Sequence, residues 1–144
     1  MKWCPAGHHS HVPQTVLLAD GNERLADVMA QLLADEPGFR VVGIAHTCER
    51  AVELAATHSP DVVLVSEEVA GVPGLQVCAA LRAVARDATL LLWSHDVHRD
   101  QVVQPVDGVL ERGSSFRELV RSLRRTRRID VTDRALGRRL RTRA

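Results

Sequence analysis

The feature that most constrains this chain is an alternation. Five short runs rich in Val, Leu and Ile, at 15–19, 40–45, 61–65, 89–93 and 108–110, are separated by longer segments with apolar residues at helical spacing. Parallel strands need long crossovers, and a helix is the usual one, so strict alternation of strand-like and helix-like segments predicts a parallel sheet covered on both faces. The third and fourth runs are almost unbroken in apolar residues, as expected of central strands buried on both sides. The predicted fold class is α/β, a doubly wound five-stranded parallel sheet.

The helical segments carry their own boundaries. Asn22 is a good N-cap for a first helix with Leu25, Val28, Met29, Leu32 and Leu33 at i, i+3, i+4, i+7 and i+8, predicted as its buried stripe. Thr47 caps a second that runs to about His58, where Ser59-Pro60 stops it. A third spans roughly 75–85, with Val77, Leu81 and Val84 predicted inward. The last begins at Ser115, buries Phe116, Leu119, Val120 and Leu123, and turns Arg117, Arg121, Arg124 and Arg125 outward.

A chain of 144 residues is one domain of ordinary size. No apolar run approaches the roughly 20 residues that span a bilayer, and residues 1–5 lead into a His-rich polar stretch, so a cytoplasmic protein is expected. Cys4, Cys48 and Cys78 are odd in number and widely spaced, which implies neither a disulfide framework nor a zinc knuckle. The near-neutral total hides a split. Residues 1–111 hold 7 Lys and Arg against 15 Asp and Glu, whereas residues 112–144 hold 12 Arg against 3 acids. Such asymmetry favours an interaction tail or a self-complementary assembly. Residues 1–14 read as a flexible leader, 15–128 as the folded domain and 129–144 as a basic C-terminal tail.

Four phrases in order, Val16-Leu17-Leu18-Ala19-Asp20, Glu36-Pro37-Gly38-Phe39-Arg40-Val41-Val42-Gly43, Pro60-Asp61-Val62-Val63-Leu64-Val65 and Asp107-Gly108-Val109-Leu110, make residues 15–128 resemble a bacterial response-regulator receiver domain. The likeness is greatest to receivers attached to LuxR-type transcription factors. It implies a flavodoxin-like (CheY-like) sheet with strand order 2-1-3-4-5. It also implies a crevice at the carboxyl ends of the strands, where the family places an acidic pair, a phosphate-accepting Asp, a Thr or Ser, and a Lys. The matching positions here are Asp20-Gly21, Ser66, Ser94 and Arg112. The segment from Ser94 to Asp107 is about one helical turn shorter than in the family. With Pro105 closing it, the fourth helix is expected to shrink to little more than a turn and a half at 100–104.

These departures bear on chemistry. The family's reaction draws a phosphoryl group onto a carboxylate with Mg²⁺ neutralising charge, and Mg²⁺ demands hard, anionic oxygens. Gly21 and Ser66 supply none, so Mg²⁺ binding is expected to be weak or absent and no other cofactor or metal is expected. A serine hydroxyl without a neighbouring base is also a weak nucleophile. A one-residue slip would instead put Glu67 at the strand end, where a fixed negative charge imitates the phosphorylated state; the five-residue step from Asp61 favours Ser66. Arg112 either forks onto Asp20 across the metal site or projects into solvent. Val109 stands where many receivers carry a Tyr or Phe lever, and the chain has no Tyr.

Other constellations weigh less. Ser94-His95-Asp96 lacks the spatial convergence a hydrolase triad needs. Cys4, His8, His9 and His11 have metal- or haem-binding residue types in a leader of otherwise disordered composition. A faint likeness of residues 20–24 to cobalamin-binding loops lacks that family's His and Gly-Gly. The arginines from Arg121 to Arg143 suit phosphate contact but include no aromatic for base stacking.

The sequence therefore predicts a non-enzymatic, stand-alone pseudo-receiver acting by phosphorylation-independent protein interaction in bacterial signalling or transcription control. Its expected surface is the fourth helix, fifth strand and fifth helix, including Val109, Phe116, Arg117, Arg121, Arg124 and Arg125, facing a protein partner or a second copy. The alternatives are a phospho-receiver using Glu67 or Ser66, and nucleic-acid contact through the Arg-rich helix and tail.

Overall fold

The computed structural model describes residues 12–94, 106–111 and 115–128. The predicted alternation appears as β1 (Gln14–Ala19), α1 (Glu23–Ala34), β2 (Phe39–Ala45), α2 (Cys48–His58), β3 (Val62–Ser66), a small hairpin of β4 (Glu68–Val69) and β5 (Val72–Pro73), α3 (Gly74–Val84), β6 (Thr89–Ser94), β7 (Gly108–Glu111) and α4 (Phe116–Arg128). The main sheet has the order β2-β1-β3-β6-β7 and is parallel throughout, the predicted 2-1-3-4-5 order when its five strands are counted in sequence. The hairpin was not foreseen, because strands of two residues leave no hydrophobic period to read.

Period-two alternation sorts each strand's side chains onto two faces. Val16 and Leu18 of β1, Val62 and Leu64 of β3, and Leu91 and Trp93 of β6 join Met29 and Leu33 of α1 and Leu119, Val120 and Leu123 of α4 in one core. Leu17, Ala19, Val63, Val65 and Leu90 join Ala51 and Ala55 of α2 and Val77, Cys78 and Leu81 of α3 in the other. Every residue of β3 is buried, which places it at the centre of the sandwich.

Three of the four described helices are capped at the start by a side chain, while α3 begins after Pro73 without one. Asn22 Oδ1 accepts from Leu25 N at 3.1 Å, Thr47 Oγ1 from Arg50 N at 3.1 Å and Ser115 Oγ from Glu118 N at 3.2 Å. Each such cap contributes about 1 kcal/mol. Two aspartates from the resembling phrases fasten the opposite, amino edge. Asp61 Oδ2 accepts from Thr15 N at 2.8 Å, tying β3 to β1. Asp107 Oδ2 accepts from Leu90 N at 2.8 Å and from Arg82 Nη2 at 2.7 Å, tying β7 to β6 and α3.

The predicted stripes need correction in three places. Val28 is 53% and Leu32 42% exposed, and the arc of α1 that meets the sheet is Ala26, Met29 and Leu33. The small Ala26 lets α1 roll toward that side, lifting Val28 and Leu32 out of the core. Val84 at the end of α3 is exposed as well. Arg124 does not simply point outward. It donates to Glu36 Oε1 at 3.0 Å and Pro37 O at 3.2 Å, and its guanidinium lies 5.6 Å from the Phe39 ring centroid. The leader residues 1–11, the expected fourth helix at 100–104, Arg112 and the tail 129–144 lie outside the described residues.

Candidate functional site

The carboxyl ends of β1 and β3 open onto a crevice of about 630 Å³ lined by Asp20, Gly21, Asn22, Ser66, Glu67, Glu68 and Ala70. Asp20 follows β1 directly and is only 6% exposed. Its Oδ1 accepts from Asn22 N at 2.9 Å, a local turn that an Asp-x-Asn sequence favours. Its backbone oxygen lies 2.9 Å from His46 Nδ1, and its N–H reaches Ala45 O at 2.9 Å, so the start of the crevice is held by the β2 exit.

Ser66 ends β3, is 3% exposed, and continues the face of Val62 and Leu64 toward α1. With Asp20, Ala26, Met29 and Trp93 it borders a pinched space of about 10 Å³, room for no more than a single water. Ser94 continues the opposite face, that of Leu90 and Leu92. There its Oγ donates to Glu67 Oε2 at 2.8 Å. Asp20, Ser66 and Glu67 thus share one crevice, and Ser94 joins it through Glu67. The sequence named all four residues and missed the bond, because a contact between side chains 27 positions apart has no local signature.

Gly21 and Gly74 explain how the loops approach so closely. A Cβ added at Gly21 would stand 2.7 Å from Ala70 N, so the β4–β5 turn sits where any side chain at position 21 would project. That turn places Ala70 at φ 50° and Gly71 at φ 86°, the positive-φ pair of a primed two-residue hairpin turn. Gly74 N donates to Glu67 O at 2.7 Å, and a Cβ on Gly74 would meet Ser66 O at 2.3 Å.

The fold and this site can be compared with known proteins. No family model matches the chain. The nitrate/nitrite response regulator NarL of Escherichia coli K12 is 30% identical over 115 residues, 77% of this chain and 53% of that protein. The response regulator UvrY of the same strain is 30% identical over 115 residues, covering 76% and 52%. Among solved structures, the signal receiver domain of the putative response regulator NarL from Mycobacterium tuberculosis superposes with a TM-score of 0.69 at 28% identity, over 77% of this chain and 93% of that one. The chain contains a response-regulator receiver domain. It spans about half the length of the curated relatives it matches. A LuxR-family response regulator from Staphylococcus aureus shares the receiver fold at a TM-score of 0.70 and 22% identity.

Within this receiver domain the remaining sequence-named residues are dispersed. Val109 is half-buried against the α2/α3 core. Phe116, Arg117, Arg121, Arg124 and Arg125 line a separate groove of about 620 Å³ with Val120 and Glu36. Among the described residues, no group of three or more His, Cys, Asp and Glu is arranged to hold a metal ion, and no helix is long and apolar enough to cross a membrane. Cys4, His8, His9, His11, His95 and Asp96 lie outside the described residues. Cys78 is buried, and that desolvation pushes its thiol up to about 12, with Arg82 pulling it down and Asp107 pushing it further up.

Proposed function

We propose that this receiver domain works by protein–protein interaction that does not depend on phosphorylation. The observation that carries the reading is the Ser94–Glu67 hydrogen bond. A carboxylate supplied by the chain itself already engages the pocket hydroxyl, giving it a permanent anionic partner. Two further features support it. Ser66 stands where the family's acceptor carboxylate is expected, and Gly21 has neither a carboxylate nor the space for one beneath Ala70. The donor set fits Mg²⁺ poorly, since Asp20 alone remains of the family's acidic ligands and one of its oxygens is spent on Asn22 N.

A second reading, phosphoryl acceptance by Glu67, draws on the crevice that Glu67 shares with Asp20. One titration separates the two. Trp93 borders the same small space as Asp20 and Ser66, so its fluorescence in a Trp3→Phe variant reports on the pocket. Addition of Mg²⁺ and then beryllofluoride, a mimic of the bound phosphoryl group, is expected to leave it flat. A saturable change would overturn the phosphorylation-independent reading in favour of a working acceptor.

A further inference from the structure

We infer that the groove along α4 is a binding site for a nucleoside polyphosphate. The groove shares no lining residue with the crevice of Asp20 and Glu67, so the inference goes beyond the reading above and stands apart from it. It gives a small-molecule ligand to residues that the sequence assigned to a protein partner.

The charges point to a dense anion. The groove sets Arg117, Arg121, Arg124 and Arg125 against a single acid, Glu36. Arg121 stands three or four residues from each of the other arginines, so the helix carries like-charged neighbours that repel. The helix dipole accounts for Arg124 and Arg125 toward the end of α4, but not for Arg117 in its first turn, where a cation is disfavoured. Arg117 and Arg121 make no hydrogen bond or ion pair among the described residues. Arg124 is already placed, since both of its hydrogen bonds, to Glu36 Oε1 and Pro37 O, run through Nη2 and leave the N–H groups of Nε and Nη1 to a ligand. Arg125 Nη2 is steadied by Ser122 Oγ at 3.0 Å. Guanidinium forks grip phosphate oxygens in pairs. Arg121, Arg124 and Arg125 fall within about one helical turn, which suits a di- or triphosphate better than a lone carboxylate.

The rest of the groove suits a base. Phe116 and Val120 form its apolar side, and Phe116 is only half-buried, which leaves part of its ring as a stacking platform. Phe116 precedes Arg121 by five residues, about 8 Å along the helix, room for a ribose between a stacked base and phosphates held by the arginines. The volume of about 620 Å³ lies within the roughly 300–1,000 Å³ of small-molecule pockets. A nucleic-acid strand suits the surface less well. Outside α4 the described residues hold 13 Asp and Glu against 5 Arg, so a polyanion running beyond the groove meets like charge, whereas a compact one stays among the arginines.

Isothermal titration calorimetry of the full chain tests this, with ATP, pyrophosphate and adenosine as probes and EDTA present to keep Mg²⁺ out of the crevice. ATP is expected to bind saturably at one site, pyrophosphate more weakly and adenosine more weakly still. Arg117→Gln and Arg121→Gln should each weaken ATP by about tenfold. Phe116→Leu should weaken ATP and leave pyrophosphate unchanged, and Arg86→Gln, just after α3 on the other side of the sheet, should change neither. Circular dichroism confirms that each variant folds. A wild type that binds neither ATP nor pyrophosphate at low salt overturns the inference, as does ATP binding indifferent to the Arg117 and Arg121 exchanges. Pyrophosphate held as tightly as ATP, with Phe116→Leu affecting neither, overturns the assignment to a nucleotide. Random duplex DNA bound through Arg121 more tightly than ATP overturns it in favour of nucleic acid. ATP binding that behaves as expected here, beside a Trp93 response to Mg²⁺ and beryllofluoride, would retain this site and overturn the phosphorylation-independent reading instead.

Discussion

Ser94 and Glu67, 27 positions apart, are joined across the ends of two neighbouring strands by a 2.8 Å hydrogen bond in which the hydroxyl donates to the carboxylate. Ser94 is buried and Glu67 half-buried, so the contact is partly shielded from water and counts for more than its surface equivalent.

Replacing Ser94 by Ala leaves Glu67 without this donor and is expected to cost about 1–2 kcal/mol in urea unfolding. Glu67→Gln keeps an acceptor oxygen and is expected to cost less. A double-mutant cycle between the two positions measures the coupling, and a coupling of zero would show that the bond contributes nothing.

Restoring an acid at position 21 is expected to damage the domain rather than repair its pocket. The new Cβ meets Ala70 N at 2.7 Å, and backbone cannot yield as a side-chain tip does. Gly21→Asp should destabilise by about 1–3 kcal/mol. In the pair with Ser66→Asp, a thermal shift series with Mg²⁺ is expected to show no stabilisation by the ion.

Ala70 adopts φ 50°, a conformation that costs an L-residue about 1 kcal/mol or more and glycine almost nothing. Part of the relief is offset by the greater freedom of glycine in the unfolded chain. Ala70→Gly is therefore expected to raise stability by up to about 1 kcal/mol, read from the urea midpoint.

Cys78 is expected to resist alkylation in the native state, because burial holds its thiol up to about 12 against an ordinary 9.0. Iodoacetamide labelling mapped by mass spectrometry should modify the half-buried Cys48 before Cys78, which reacts only on unfolding. The linkage has a definite sign. A thiol whose ionisation is suppressed by folding supports the folded state fully below pH 9, and that support is lost as pH rises from about 9 toward 12. Cys78→Ser should flatten this alkaline decline.

Much of the fold was legible. Asn22 and Thr47 announced two helix starts through their capping chemistry, the last helix was read from Ser115, and the unbroken apolar runs of β3 and β6 announced the sheet's centre. What escaped reading depends on distance in space. The stripe of α1 was drawn too wide because spacing records which residues share a flank, not how the helix rolls once Ala26 permits it. Asp20, Ser66, Glu67 and Ser94 were nameable from their places at strand ends. That Glu67 turns to Ser94, and that Gly21 lies under Ala70, follow from a hairpin too short to leave a pattern. Arg124 looked like one of four equivalent arginines until the α1–β2 turn brought Glu36 and Phe39 beside it.

The contact between Gly74 and the carbonyl of Ser66 separates two kinds of change at this crevice. With 2.3 Å between that oxygen and any added Cβ, the exit of β3 and the entry of α3 behave as one welded joint. Exchanges at Ser66 or Glu67 change side chains and leave the Ser66 carbonyl, and so this backbone contact, in place. An exchange at Gly74 requires one of the two segments to shift against the other. Position 74 is therefore reserved for glycine by the backbone behind the crevice, independently of which reactive groups line its mouth.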